Sequence, residues 1–207
     1  MQNFNYLVGC PATGLAALVD PAWEVERMLT EAGKAGLRVT HILITHTHPD
    51  HVEGLGRAAA ATGAAVHVHH LEAERAAARL KGETDPAVIR AVSDNDVIEV
   101  GTLRLTALHT PGHTPGATCY LVPGGVITGD TLFIGRCGRT DFPGSDPRAM
   151  YESLKRLASL PEKTVVYPGH NYASRPTSTI GQERVGNVHM SAPDLSEFLR
   201  RRMGAGA

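Results

Sequence analysis

The 207 residues carry 20 Lys and Arg against 21 Asp and Glu, with 42% apolar and 20% charged side chains. This is ordinary globular composition, enough for one domain over 1–207 with a real core. A formal net charge of −1 gives no electrostatic reason to expect nucleic acid or an anionic membrane as partner, and no apolar run approaches the roughly 18 to 20 residues that span a bilayer.

Residues 5–10 and 15–20 read as a β-hairpin around Pro-Ala-Thr-Gly, with Pro21 ending the second strand. Residues 24–35 have helical periodicity, with Val25, Met28, Leu29 and Ala32 on one face and Gly36 as the stop. The run VTHILIT, 39–45, is the pattern of a strand buried on both faces. Residues 52–62 are alanine-rich and helical, 64–69 alternate as a strand, and 71–80 form a helix. In the second half, 96–100 and 102–108 pair across Gly101, and 118–122 and 125–128 pair across Pro-Gly-Gly. A helix over 147–160, a strand over 164–167 and a last helix over 195–202, led in by Ser191 and Asp194, complete the chain before a fraying Gly/Ala tail, 204–207. Two halves that each mix strands and helices imply a layered α/β architecture, with two sheets packed between helices.

The block Arg200, Arg201, Arg202 suits a solvated helix C-terminus. Three widely spaced cysteines (Cys10, Cys119, Cys137) are no disulfide framework, and Cys137 reads as structural. With no basic leader followed by a long apolar segment in MQNFNYLVGC, the expected location is a reducing cytoplasm. Nothing in the chain speaks to oligomeric state.

Histidine is the unusual count, at 11. HTHPDHV begins at His46, where the buried strand ends. Three more loops repeat the theme after strands: HTPGHTPG with His113, GDT with Asp130, and PGHNY with His170. Strand ends at one sheet edge converge, and loops held there by a rigid scaffold are where sites are built. The candidate ligands are therefore His46, His48, Asp50, His51, His113, Asp130 and His170. Imidazole and carboxylate suit zinc first, and iron or manganese as well. Seven ligands are too many for one four-coordinate ion and suit two divalent ions sharing a carboxylate, with Asp130 as the bridge. A lone histidine is more often core or surface, and that reading is kept for His41, His67, His69, His70, His109 and His189. Asp50 by itself also reads as an N-cap for the helix expected near Val52.

HTHPDH, TPGHTPG, TGDTLF and PGHNY, in this order over nearly the whole chain, resemble the metallo-β-lactamase fold superfamily. The resemblance implies a four-layer αββα sandwich with a mono- or dinuclear metal centre at the sheet edge. It matches His46, His48 and His113 to a first metal, Asp50, His51 and His170 to a second, and Asp130 to the bridge. TPGHTPGATCY and TGDTLFIGRCGR are similar to glyoxalase II, which hydrolyses S-acyl glutathione thioesters with a metal-activated water. That likeness implies a small thiol-derived substrate, with Asp50 and Asp130 holding metal and orienting the water. It also puts Arg139 where a basic residue binds the glycine carboxylate of glutathione, a task a guanidinium performs in bidentate fashion. Tyr172 is a candidate donor to the substrate, or a packed tyrosine. CGRTDF and GHNY…STIGQER instead resemble glutathione persulfide dioxygenases, which would hold one Fe(II) on His46, His113 and Asp130. Thr47 and Pro49 depart from that branch, which has Cys and Ala there, as does PGHNY, where it has PAHDY. From glyoxalase II the chain departs in lacking the aromatic shortly after Arg139, where Thr140 and Asp141 stand, and the full C-terminal helical domain of longer members.

Overall fold

LAALV alternates in a way that decides where the first sheet lies. Ala17 and Val19 face the second sheet, while Leu18 faces helices. A computed structural model describes residues 2–203, and the tail 204–207 lies outside the described residues. In chain order the elements are β1 (Tyr6–Cys10), β2 (Leu15–Val19), α1 (Val25–Lys34), β3 (Arg38–Leu43), α2 (Pro49–Val52), α3 (Leu55–Thr62), β4 (Ala65–His69), α4 (Ala73–Leu80), β5 (Ile89–Val92), β6 (Val97–Val100) and β7 (Leu103–His109). There follow β8 (Thr118–Val122), β9 (Gly125–Gly129), β10 (Leu132–Phe133), β11 (Arg136–Cys137), α5 (Pro147–Ala158), β12 (Val165–Pro168), β13 (Ser178–Thr179), α6 (Ile180–Gly186) and α7 (Leu195–Met203).

One sheet runs β1-β2-β3-β4-β5, parallel except for the β1–β2 hairpin, with helices in its crossovers. The other runs β13-β12-β9-β8-β7-β6, antiparallel except where β12 joins β9. Three apolar cores separate four layers, as the αββα expectation requires. Leu18, Ile42, Val66 and Val68 pack on α1, α3 and α4. Val126, Val166, Met150, Leu154 and Phe198 join the second sheet to α5, α6 and α7. Leu43, Leu105, Tyr120 and Ile127 fill the space between the sheets. Tyr120 is fully buried there, and its hydroxyl donates to the Ile44 carbonyl at 2.9 Å, pinning sheet to sheet beside the HTHPDH loop.

Several boundaries differ from the sequence reading for local reasons. β3 stops at Leu43 because the Thr45 N–H is drawn off to Asp20 Oδ1 at 2.8 Å. The helix expected over 52–62 is two pieces. α2 starts earlier, with Pro49 in its first turn, and Asp50 is a helix residue rather than an N-cap. Gly54 breaks the run, since a Cβ there would stand 2.6 Å from the Ala22 carbonyl. β5, β10, β11, β13 and α6 were not anticipated. IRAV is a four-residue edge strand with a charge inside it, and the two-residue strands are too short for any periodicity. α7 begins as expected, its Glu197 N–H capped by Asp194 at 2.8 Å. Among the described residues no helix is long and apolar enough to cross a membrane.

Replacing Tyr120 with Phe leaves the buried Ile44 carbonyl without this donor. The expected cost is about 1–3 kcal/mol of unfolding free energy, measured by urea denaturation, with the sandwich retained by circular dichroism.

Candidate metal centre

All four histidine- or aspartate-bearing loops emerge at one edge of the sandwich. His46 and His48 follow β3, and Asp50 and His51 sit on α2. His113 lies in the β7–β8 loop, Asp130 follows β9, and His170 follows β12. The sheets are tied together at this edge, with Thr118 N–H donating to the Thr45 carbonyl at 2.8 Å. The loops bring the ligand atoms of His46, His48 and His113 within 4.8 Å of one another, and likewise those of Asp50, His51 and His170. His48 Nδ1 is 3.1 Å from His46 Nε2 and 2.9 Å from His113 Nε2. His170 Nε2 is 3.3 Å from His51 Nε2 and 3.4 Å from Asp50 Oδ2. Asp130 spans the two groups: Oδ2 stands 3.5 Å from His113 Nε2, while Oδ1 stands 3.2 Å from His51 Nε2 and 3.4 Å from His170 Nε2. All seven candidate ligands of the sequence reading therefore meet in one place.

The outer bonds of these rings show what the inner atoms need. His51 Nδ1 lies 2.9 Å from Asp20 Oδ2, an acceptor, so it carries the N–H. His113 Nδ1 lies 2.8 Å from the Arg139 carbonyl and donates for the same reason. In the neutral rings, both Nε2 atoms then turn lone pairs inward. Asp130 Oδ1 is buried with no partner of hydrogen-bond geometry. Lone pairs crowded against one another in a largely buried site repel unless a cation stands among them. The donor set fits two divalent ions, zinc, iron or manganese.

The charge states agree. Burial opposes a charge on His51, but the carboxylates of Asp130 and Asp20 outweigh it and raise the ring to about 10. A proton there stands in for a cation. Burial, with His51 close by, holds His46 well below its ordinary value, and burial also lowers His48 and His113. Asp130 resists the upward push of burial and stays well below the usual carboxylate range, because the imidazoles of His170 and His51 face it.

The cluster floors a cleft of roughly 390 Å³ walled by Pro49, Phe133, Arg139, Phe142 and Tyr172. This is the scale of a small-molecule site. Arg139 is exposed at the rim, its Nε and Nη2 bonded to the Asp141 carboxylate at 2.9 and 2.8 Å, with its guanidinium 4.3 Å over Phe142. Phe142, three residues after Arg139, also has its ring 5.3 Å from that of His48. Tyr172 stacks on His170, with ring centres 4.8 Å apart and 3° between the planes. Burial, then Asp130 and Asp50, raise its hydroxyl, which keeps its proton.

Two supporting acids escaped the sequence reading. Asp20 accepts from Thr45 Oγ1 at 2.6 Å as well as from His51. It ends a buried strand just as Asp130 does, which is the signal that could have found it. Glu72 is buried, accepts from the Thr47 hydroxyl and from the Gly116 N–H, and so links the first and second motif loops. A glutamate in LEAER carries no signal. None of the six histidines left aside in the sequence reading belongs to the three ligand groups found among the described residues. Cys137 is buried, and burial pushes its thiol up to about 12.

Comparison with known proteins adds the following. The family model described as Metallo-beta-lactamase superfamily matches residues 1–170. A hydroxyacylglutathione hydrolase of Polaromonas sp. is 41% identical over 176 residues, covering 83% of this chain and 63% of that one. The chain spans about 63% of the length of the first such curated relatives it matches. The crystal structure of ETHE1 from Myxococcus xanthus superposes with a TM-score of 0.86 at 33% identity, covering 100% of this chain and 87% of that one. TTHA1623 in a di-iron-bound form gives a TM-score of 0.73 at 37% identity, covering 90% and 94%.

His189 offers a titration test away from the cluster. Its Nδ1 accepts the Cys137 N–H at 3.1 Å, and burial, then Arg202, Arg136 and Arg201, lower it from 6.5 to about 4. Between those values the folded chain binds fewer protons than the unfolded one. The contribution of His189 is therefore whole above pH 6.5 and is lost as pH falls through about 4. His189→Asn, which cannot titrate, should lose less stability than the parent on acidification from pH 6.5, as read from urea midpoints.

Proposed function

The chain belongs to the metallo-beta-lactamase superfamily, and from that premise we propose that it is a metal-dependent hydrolase cleaving a thioester of glutathione or a similar thiol. The observation that carries the reading is Asp130, one largely buried carboxylate whose two oxygens face two groups of ligand atoms. His46, His48 and His113 would hold one cation, Asp50, His51 and His170 the other, and Asp130 both, with zinc first and iron or manganese also suited. The di-iron form of TTHA1623, at 37% identity, supports a two-ion centre here. Bound at these ligands, two divalent ions supply a water nucleophile that is deprotonated at neutral pH and a Lewis acid for the thioester carbonyl.

The chain's own groups do the rest. Asp50 and Asp130 accept from the attacking water and aim it. Phe133, Phe142 and Tyr172 wall the acyl group from solvent. Tyr172, still protonated, donates toward the substrate. Arg139 takes a substrate carboxylate in place of, or beside, Asp141, its guanidinium already oriented on Phe142. The departing thiolate is stable in water, so the leaving group makes no demand for a strong general acid. The likeness to hydroxyacylglutathione hydrolases, at 41% identity, supports a glutathione-derived substrate. Three buried, unpaired cysteines support a reducing, cytoplasmic setting.

The second reading is glutathione persulfide oxidation with a single Fe(II) held by His46, His113 and Asp130, favoured by CGRTDF and STIGQER. Elemental analysis of protein purified without added metal, paired with thioester hydrolysis and with oxygen uptake on glutathione persulfide, separates the two. About two ions per chain with hydrolysis and no oxygen uptake is the expected result. About one iron with rapid oxygen uptake overturns the hydrolase. Asp130→Ala should lose both ions and turnover together, and full retained activity would remove Asp130 from the centre. Arg139→Ala should raise KM about 10-fold for a glutathione thioester and leave KM for a small neutral thioester unchanged; equal effects on both would remove Arg139 from carboxylate binding.

A further inference from the structure

The segment before β1 had no place in the motif reading, yet it lies directly against the second ligand group. Asn3 forms an antiparallel bridge with His170. Phe4 N–H donates to the Gly169 carbonyl at 2.9 Å, and Asn171 N–H donates to the Gln2 carbonyl at 2.7 Å. These bonds strap the chain's start along the loop that carries His170. From that strap the Asn3 side chain reaches Asp50, its Nδ2 donating to the Asp50 carbonyl at 2.9 Å and to Oδ2 at 3.2 Å. Both partners are acceptors, so the amide nitrogen, not its oxygen, must face them. Oδ2 is the same oxygen that stands 3.4 Å from His170 Nε2. Among the described residues, no other hydrogen bond reaches the Asp50 carboxylate.

We propose that Asn3 is a positioning residue for the second cation site, holding the Asp50 carboxylate and the His170 loop in ligating geometry and so setting how tightly the second ion is kept. This rests on the two-ion reading above. The physical reason is preorganisation. A free aspartate samples several rotamers, and ordering it on binding costs affinity, whereas one already held by an outer hydrogen bond binds with less loss. Asp20 does this for His51, and the Arg139 carbonyl does it for His113. Asn3 is the corresponding partner of Asp50. No hydrogen bond runs from Asn3 to His46, His48 or His113, so its effect is confined to one ion.

The test is retention of zinc by the zinc-loaded parent, Asn3→Ala and Asn3→Leu proteins after dialysis against graded chelator, read by elemental analysis. Both variants should release one of two ions at about 10-fold lower chelator concentration than the parent. The other ion should stay as in the parent. Leu keeps bulk over the loop but has no donor. Parent-like retention in Asn3→Leu alone would make the role one of packing and overturn the proposal. A parent with two ions and variants that keep both equally well would overturn it while leaving the two-ion centre intact. A parent that holds only one ion removes the two-ion reading, and this proposal with it.

Discussion

Asp130 is a largely buried carboxylate at the floor of a cleft, with imidazole nitrogens on both sides. A charge in such a place must be compensated, and the structure around it is arranged to do so. His51 is turned by Asp20, His113 by a backbone carbonyl, and His170 by the stacked ring of Tyr172. The outer hydrogen bonds of His51 and His113 leave their inner lone pairs with one direction, while the stacked ring fixes the plane of His170. Even Gly169 serves this end, because a Cβ there would stand 2.5 Å from Asp130 Oδ1.

The two-sheet sandwich supplies the stiffness that such crowding needs. Loops from both sheets meet at one edge, and the spacing between sheets is set by side chains such as Leu43, Leu105 and Tyr120. The Tyr120 hydroxyl bonds the Ile44 carbonyl, two residues before His46, so packing between the sheets is transmitted straight into the first motif. At the far side of the second ligand group, Tyr6 donates to the Pro168 carbonyl at 2.6 Å, two residues before His170. Ligand positions are thus referred to the core rather than to flexible loops.

Much of this was legible before any coordinates. Ligand types cluster in short runs after apolar strands, and a run such as HTHPDH is local, so composition and spacing reveal it. The elements long enough to show a period, such as α1, α5 and β7, were also readable. What escaped had no local signature. β5 and the short strands owe their existence to neighbours already in place, and α2 and α3 are separated by a backbone contact between Gly54 and the segment after β2.

The sequence by itself determined the layered class and which seven side chains meet at the sheet edge, because period-2 and helical patterning place the strand ends and the motifs sit on those ends. Only the tertiary structure decided how they face one another. That Asp130 presents one oxygen to each group, that Asp20 lies under His51, that Asn3 reaches Asp50 across 47 positions of chain and that Arg139 is bound to Asp141 all depend on side-chain direction after the sheets have packed. Such contacts join residues far apart in the chain, or turn on one rotamer, and neither leaves a mark on local pattern.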